Sequence, residues 1–581
     1  MKVNYVLSNY RYSEDIDTED FMLVGNNKTF FNSLKGGSKY NGFFVPFKTE
    51  MLKIFDSLTF LNLNNLESID HYGYKLVKKF SNNQIEYFIP DNFNSIIIKS
   101  TTNFEINFDI KQIFDQYEFG RIYDVKIING KTIIHFKKLD ENNSLQYSCF
   151  VVINSEIIKN EKWMKKEFLF DKKRSSPPYS RYVFSPGTFN QGNIVISYAS
   201  TGKKAIEENV YIEKNQESLL EKAKSNFEKI QKFPKKSKKI NTAYNFSRFY
   251  LNQISTDSGV LAGLPWFFRP WTRDELISLP AVIKLKGAEY GKKRLMAFSS
   301  SLNYDGLLPN ITGTTGGAKD SIGLFFRFAY LMLTKHKKLF SDKEMAILKK
   351  KLELSSYCIM KYYSENHMLI SNNQETWMDS LSRSGKRIEI QSLMLIILET
   401  MKFISKDTIY ISFQNQLRRQ IKKDFFNNGF LYDDPVEKEI RPNVFLAYYY
   451  DNSFLKSNDW KKVFLNSTKK LWAKWGGLAT LDTQSQKFRP NHSGEVADSY
   501  HNGDSWFFVN LIAATTMNRL DNKFFKKYIE KILNASTSVC LSQGTLGCLP
   551  EVSSFNELKS QGSPLQAWSL ATYIELVEEL K

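Results

Sequence analysis

Acidic, basic and tryptophan side chains are concentrated in four short segments of the second half of this sequence. The segments read WFFRPWTRDE at residues 266–275, TWMDS at 376–380, HSGEVADSYHNGD at 492–504 and LPEV at 549–552. Hydrolysis of a glycosidic bond requires one carboxylic acid to protonate the departing oxygen and a second carboxylate to activate water or attack carbon. Tryptophan rings stack on the C–H faces of pyranoses, and Arg–Asp pairs bind hydroxyl groups. These segments therefore indicate a carbohydrate site.

The elements that carry these segments are predicted to be helices. From about residue 240 onwards, stretches with a 3.6-residue apolar period alternate with loops, and we expect about twelve helices. Long connections near residues 256–273, 303–319, 366–386, 427–442, 473–503 and 538–563 alternate with brief ones. Alternate connections between antiparallel helices lie at opposite ends, so the long loops should share one face. The pattern predicts an all-α (α/α)6 toroid with its site at one mouth.

The first part of the chain has a different pattern. Short apolar runs punctuated by Gly and Asn extend to about residue 212, and Asn129-Gly130 between DVKII and KTIIHF predicts a two-residue hairpin turn. We therefore predict an antiparallel β-sandwich domain at 1–212, a helical linker at 213–240 and a catalytic domain at 241–581.

Composition restricts the partners. The formal net charge is +19, but the basic residues are spread along the chain and form no stripe beside stacking aromatics, which argues against nucleic acid. The four cysteines and six histidines show no metal-ligand spacing, and no glycine-rich phosphate loop is present, so we expect no metal and no cofactor. The sequence MKVNYVLSNYRYSED lacks the apolar run of a signal peptide, and no window is apolar enough for a membrane span. We expect a soluble, cytoplasmic protein.

Six segments resemble, in the same order, motifs of the glucosidase domain of glycogen debranching enzymes and, more distantly, of glucoamylases. They are WFFRPWTRDELISLPAV, DGLLPN, TWMDS with RSGKRIEIQSL, RPNVFLAY, YHNGDSWFF, and GCLPEV with QAWSLAT. The resemblance covers roughly residues 240–581, and SKYNGFFVP near residue 38 resembles the β-sandwich of that family more faintly. The members of this family are amylo-α-1,6-glucosidases, so the resemblance implies that the chain binds glycogen or branched α-glucan oligosaccharides as its substrate.

The resemblance also implies roles for residues. Asp379 would be the general acid and Glu551 the general base, acting through water with inversion of anomeric configuration. Arg273 and Asp274 would bind the hydroxyls of the terminal glucose, although an Arg–Asp pair at the start of a helix is also an ordinary ion pair. Further residues would line the site as aromatic walls or bind sugar, and each could instead serve the core or satisfy loop backbone groups: Trp266, Trp271, Trp377, Trp568, Asn310, Lys386, Glu389, Arg441, Asn443, His501 and Gln566.

Two departures from the family pattern affect the expected shape of the sugar site. Pro270 and Thr272 replace the usual glycine-bearing spacing before Arg-Asp, and Asn502-Gly503-Asp504 replaces the usual Gln-Gly. Three other functions remain open: a glucoamylase-like exo-α-1,4-glucosidase, a phosphorylase with one catalytic acid and a phosphate pocket, and a non-catalytic glycan-binding protein.

Overall fold

The structure is a computed structural model and describes residues 1–311, 314, 316–405, 407–495 and 498–580. Parts of the predicted loops at 303–319 and 473–503 therefore lie outside the described residues. Contacts between Cα atoms divide the chain into two compact units. The sandwich unit comprises Met1–Thr256 and Cys540–Cys548, and the helical unit comprises Asp257–Val539 and Leu549–Lys581.

The sandwich unit is built from two sheets. A ten-stranded sheet has the order β12-β13-β14-β17-β10-β9-β8-β7-β1-β2, and a seven-stranded sheet has the order β15-β16-β11-β6-β5-β4-β3. The strands are β1 Lys2–Val6, β2 Arg11–Asp15, β3 Phe21–Val24, β4 Phe30–Ser33, β5 Gly42–Phe47, β6 Glu50–Phe60, β7 Leu66–His71, β8 Lys75–Phe80, β9 Gln84–Phe88, β10 Ser95–Ser100, β11 Phe104–Gln112, β12 Arg121–Ile128, β13 Lys131–Leu139, β14 Leu145–Ile153, β15 Ile157–Glu167, β16 Ser180–Phe189 and β17 Gly192–Ala199.

The pairing of these strands is mostly antiparallel, as the sequence predicts. The Asn129-Gly130 hairpin is confirmed: Ile128 pairs with Lys131, and the φ angles of 50° and 78° at the two turn residues are those that a tight hairpin requires. One pair departs from the prediction, since β1 and β7 run parallel.

Three helices also belong to the sandwich unit: α1 Leu169–Lys173, α2 Gly202–Ile230 and α3 Lys238–Ile254. The sequence predicts the linker helix from residue 213, but α2 begins 11 residues earlier, at Gly202, because Thr201 caps its first turn. Ile212 and Ala223 of α2 are buried against Phe88, Ile97 and Val195 of the sheet. One face of α2 is therefore part of the sandwich core, and the helix is not merely a linker.

The division into units differs from the predicted boundary near residue 240. Nearly the whole surface of α3 is buried, and the helix groups with the sandwich. The segment Cys540–Cys548 also returns to this unit, where the Tyr5 hydroxyl donates to the carbonyl oxygen of Leu541 (2.6 Å) and Leu546 bridges to Phe21. Neither grouping follows a local sequence pattern, because both depend on contacts between residues far apart in the chain.

The helical unit contains the remaining described helices. They are α4 Thr272–Lys286, α5 Ala288–Ser301, α6 Lys319–Lys335, α7 Asp342–Tyr362, α8 Ile388–Ser405, α9 Thr408–Phe425, α10 Asn443–Tyr450, α11 Ser457–Leu471, α12 Ser499–Asn502, α13 Phe507–Leu541, which is kinked at Asp521, and α14 Ala567–Glu579, with a 3-10 turn at Lys337–Leu339. Short strands lie in the connections: β18 Ser255–Thr256, β19 Gly259–Val260, β20 Gly263–Leu264, β21 Ser364–Glu365, β22 Met368–Leu369, β23 Phe426–Asn427, β24 Phe430–Leu431, β25 Ser505–Trp506, β26 Val552–Ser553 and β27 Leu565–Gln566.

The predicted alternation of brief and long connections is confirmed by these bounds. Helix α4 packs against α6 and α14, α6 against α8, and α8 against α10. This is the neighbour order of an inner ring, and the complete (α/α)6 toroid stays a prediction.

Replacing Ile212 with Ala tests whether the start of α2 belongs to the sandwich core. We expect destabilisation of about 2 to 5 kcal/mol, because the substitution leaves a cavity against the sheet. Ile206→Ala on the exposed side of the same helix should change stability by less than about 0.5 kcal/mol. Thermal unfolding followed by circular dichroism measures both, and equal melting curves for the two variants would refute the assignment.

Candidate active site

One cavity of about 260 Å³ in the helical unit gathers residues from several long connections. Eight of the predicted site residues line it: Trp271, Arg273, Asp274, Trp377, Asp379, Glu551, Gln566 and Trp568. Five further residues line it that were not predicted as site residues: Ala262, Phe267, Glu495, Tyr500 and Trp506.

Short strands join the loops that carry the lining residues. Gly263 of β20 pairs with Gln566 of β27, and Trp506 of β25 pairs with Val552 of β26. The first pairing needs a glycine, since a Cβ at residue 263 would lie 2.2 Å from the Gln566 side-chain oxygen. The loops are thus fixed to one another by backbone hydrogen bonds rather than only by the helices they connect.

Arg273 and Asp274 lie in the first turn of α4, whose start is held by the preceding loop. The Thr272 amide donates to the Asn310 carbonyl at 2.8 Å, and the Thr272 hydroxyl donates to that of Pro309. Asn310 therefore helps to hold the start of α4 through its backbone carbonyl. It does not line the cavity. An acidic group is favourable at a helix N-terminus, which suits Asp274 to this position.

The buried Arg273 guanidinium joins α4 to two carboxylates on other parts of the helical unit. Its Nη1 donates to Asp379 Oδ2 at 3.1 Å, and its Nε donates to Asp320 in the first turn of α6. Burial alone lowers the pKa of Arg273, but Asp320 and Asp379 raise it above its ordinary value. The guanidinium therefore stays charged. Asp320 was missed in the sequence because a first-turn acid of a helix carries no distinguishing signal.

The two predicted catalytic carboxylates have different surroundings. The Asp379 side chain is 38% exposed, whereas Glu551 is only 2% exposed. The Tyr500 hydroxyl donates to Glu551 Oε1 at 2.6 Å, and the Ser563 amide donates to Oε2 at 3.0 Å. Burial raises the pKa of Glu551 to about 8, against the lowering effect of these two hydrogen bonds.

Asp274 is a third buried acid in the cavity. It accepts a hydrogen bond from Gln566 Nε2 at 3.1 Å. Burial raises its pKa to about 7, and the nearby charge of Asp379 adds to this rise while Arg273 opposes it. Asp274 can therefore carry or lose a proton near neutral pH.

Three buried polar atoms of lining residues have no hydrogen-bond partner among the described residues: Arg273 Nη2, Gln566 Oε1 and Trp568 Nε1. Buried polar groups are normally paired, because an unpaired group loses its hydration without compensation. Two donors and one acceptor beside aromatic rings match the hydroxyl groups and C–H faces of a sugar.

A buried polar network lies behind the loop that carries Trp377 and Asp379 rather than in the cavity. Arg383 donates to Glu389 Oε1 and Asp433 Oδ1, each at 2.6 Å. Asn443 donates to Asp433 at 2.6 Å and accepts from the Trp377 indole at 2.8 Å. Glu389 and Asn443, which were predicted to bind sugar or orient the acids, are thus placed to hold Trp377, two residues before Asp379.

The other predicted residues also lie outside the cavity lining. His501 contacts the Ser380 hydroxyl at 2.6 Å and stacks on Trp506, and burial lowers its pKa well below the ordinary value. Arg441 donates to the carbonyl oxygens of Thr480 and His501. Trp266 is buried beside Phe267, and Lys386 is half-buried.

The comparisons with known proteins agree with this picture. A family model described as amylo-alpha-1,6-glucosidase matches residues 242–575, which is more than half of the chain. The chain belongs to this family. Membership of the amylo-alpha-1,6-glucosidase family makes it a glycoside hydrolase. No curated protein matches the sequence.

Solved glycosidases have a distantly similar backbone. A glycosidase variant in complex with glucose is 11% identical, with a TM-score of 0.45, and the match covers 60% of this family member and 99% of that chain. The GH63 mannosylglycerate hydrolase from Thermus thermophilus, in complex with Tris and D-glycerate, is 11% identical, with a TM-score of 0.44. The match covers 57% of this family member and 99% of that chain.

The described part of this family member contains no helix long and apolar enough to cross a bilayer. Within the same residues, no group of three or more His, Cys, Asp or Glu side chains could hold a metal ion.

Gly562→Ala tests the close packing around Glu551. Gly562 has a φ of +64°, and a Cβ there would lie 2.5 Å from Glu551 Oε2, so the carboxylate must move. We expect glycosidase activity to fall by about tenfold or more, because an ångström-scale misplacement of a catalytic group is costly. Gly287→Ala is the control, since its φ of +88° also lies in the range that favours glycine but a Cβ would meet no atom within 4 Å. Equal activity in the two folded variants would contradict the expectation.

Proposed function

We propose that this chain releases glucose from α-1,6 branch stubs of glycogen or limit dextrin by an inverting mechanism. The observation that carries the proposal is the meeting of Asp379 and Glu551 in one cavity that four tryptophans also line: Trp271, Trp377, Trp506 and Trp568. Two carboxylates flanking an aromatic sugar site are the minimum for glycoside hydrolysis.

The size of the cavity favours removal of one sugar at a time. Its volume of about 260 Å³ lies below the range of roughly 300–1,000 Å³ typical of pockets for larger small molecules. It therefore suits a single pyranose ring. In this proposal Arg273 Nη2, Gln566 Oε1 and Trp568 Nε1, which have no partner among the described residues, bind the hydroxyls of the terminal glucose.

Asp379 is proposed as the general acid. Protonated at the start of the cycle, it gives its proton to the glycosidic oxygen as the bond from that oxygen to the anomeric carbon breaks. Its partial exposure suits a group that must reach the bond leading to the rest of the polymer. Arg273 fixes the position of the carboxylate through the Nη1 contact and stabilises the negative charge that remains after proton transfer.

Glu551 is proposed as the general base. It takes a proton from a water molecule whose oxygen attacks the anomeric carbon from the opposite face, and the product is β-glucose. Both carboxylate oxygens accept hydrogen bonds, one from Tyr500 and one from Ser563, which is the pattern that an ionised carboxylate prefers. These two donors also fix the orientation of the base.

Asp379→Asn and Glu551→Gln test the proposed pair. Each should lower glucose release from phosphorylase limit dextrin by more than about 10²-fold while the fold is retained, because each removes an acid–base group. Glu437→Gln, an exposed carboxylate outside the cavity lining, is the control. Proton NMR of the wild-type reaction should show β-glucose first.

Other outcomes of the same assay favour the rival functions. Cleavage of maltotriose at least as fast as branched dextrin would mean an exo-α-1,4-glucosidase, and glucose 1-phosphate formed only in the presence of phosphate would mean a phosphorylase. Binding of glycogen without any turnover would mean a non-catalytic protein.

The pH dependence of kcat/KM tests which carboxylate is the base. A base must be deprotonated, so the low-pH limb of the profile should rise with pH through the Glu551 pKa, which is about 8. Tyr500→Phe removes a hydrogen bond that lowers this pKa, so the limb should move to higher pH. Glu495→Gln removes a negative charge that raises the pKa, so the limb should move to lower pH. If kcat/KM instead falls as the pH rises, and if the two substitutions move this falling limb in the same directions, Glu551 is the acid.

A further inference from the structure

A second cavity lies in the sandwich unit, beside the connection between β11 and β12. Its volume is about 670 Å³, within the usual range for small-molecule sites. The connection, residues 113–120, is called the aromatic loop here because it carries Phe114, Tyr117 and Phe119. These side chains line the cavity and are 52%, 74% and 55% exposed.

Three buried cations hold the backbone of the aromatic loop. Lys111 donates to the carbonyl oxygens of Ile113 and Asp115, at 3.2 and 2.7 Å. Lys138 donates to those of Tyr117 and Phe119, at 2.9 and 2.7 Å. Arg181 donates to those of Gln116 and Tyr117, at 2.9 and 3.1 Å. The backbone of the loop is therefore fixed while its aromatic rings face outwards.

The buried carboxylate of Asp109 balances this positive charge. Arg181 Nε donates to Asp109 Oδ1 at 2.8 Å, and Arg121 donates to the same oxygen at 3.1 Å. Burial alone raises the pKa of Asp109, but Arg181 and Lys53 lower it to about 2, so the carboxylate stays ionised. Buried ion networks stabilise a protein no better than apolar packing of the same volume, so stability does not explain this one. Its effect is to hold the exposed rings in a fixed arrangement.

The lining disfavours an anionic ligand and offers polar groups that can pair with hydroxyls. Four carboxylates, Glu50, Asp115, Asp140 and Glu141, face one lysine, Lys138, although the whole chain has a net charge of +19. An acidic patch on a basic protein disfavours nucleic acid and anionic lipid. The amide side chains in the lining are Gln112, Asn142 and Gln146.

We propose that this cavity is a second glycan site, where the aromatic loop binds a stretch of α-glucan chain away from the scissile bond. The inference rests on the proposed function, because it takes the substrate to be a branched glucan. Aromatic rings held by a fixed backbone lose little conformational freedom on binding. A polymer tethered at a second point raises the local concentration of chain ends for the catalytic cavity.

The test is co-sedimentation of the full-length protein with glycogen particles. The double variant Tyr117→Ala/Phe119→Ala should bind glycogen about tenfold more weakly or worse, since truncating central aromatic anchors typically has effects of this size. Its kcat/KM on a soluble isomaltosyl oligosaccharide should stay within about twofold of wild type, because neither substituted residue lines the catalytic cavity.

Two controls separate the sites. Tyr211→Ala removes an aromatic ring of the sandwich unit that is about as exposed as Phe119 but lies outside the cavity lining, and it should leave glycogen binding unchanged. Trp271→Ala in the helical unit should lower hydrolysis of the short substrate while glycogen binding stays close to wild type. Melting curves verify the fold, and the single variants Tyr117→Ala and Phe119→Ala replace the double variant if it unfolds early.

Two failures are distinguishable. If the wild type releases glucose from branched dextrin but the folded loop variants bind glycogen as tightly as it does, the second-site inference is overturned and the proposed function stands. If the wild type hydrolyses no branched glucan, the proposed function fails. Weaker glycogen binding by the loop variants would then still support a glycan site in the sandwich.

Discussion

The position of the proposed general acid depends on one buried guanidinium. Arg273 lies in the first turn of α4 and contacts both Asp320 in the first turn of α6 and Asp379 in the loop before α8. Three parts of the helical unit therefore meet at one charged group. A lysine could not replace it, because a single ammonium lacks the two separate edges through which the guanidinium reaches the two carboxylates.

The two carboxylates are supported in different ways. Asp379 is held by a charged group at the edge of the cavity, and the network of Arg383, Asp433 and Asn443 fixes the neighbouring Trp377 from behind. Glu551 is buried and held by neutral donors. The two carboxylates therefore lie in different environments, one beside a buried cation and the other between neutral donors.

The sequence is informative where the signal is local. The Asn129-Gly130 turn, the alternation of brief and long connections, and the motifs around Trp271, Asp379 and Glu551 can all be predicted from short segments. The predicted start of α2 is too late because the first turns of this helix are charged and carry few apolar residues. The return of Cys540–Cys548 to the sandwich could not be predicted, since it depends on contacts with residues such as Tyr5.

Site residues divide in the same way. Some residues of the recognisable motifs line the cavity because they lie where a loop ends, as Gln566 and Trp568 do. Other motif residues, such as Glu389 and Asn443, belong to the hydrogen-bond network that supports Trp377. The sequence could not separate the two groups, because spacing does not tell which side of a loop meets the ligand. Asp320 and Asp433 escaped notice because a single acid in the first turn of a helix or in a loop is common.

The pairing of Gly263 with Gln566 also bears on how the protein is made. These residues are 566 − 263 = 303 positions apart, yet they adjoin in one short sheet at the cavity. A ribosome that has synthesised the first loop must add several hundred residues before its partner strand exists. Contacts of such long range form late and slow the folding of a chain. The nascent polypeptide therefore carries an incomplete cavity until Trp568 has left the ribosome, so hydrolysis cannot begin before that point.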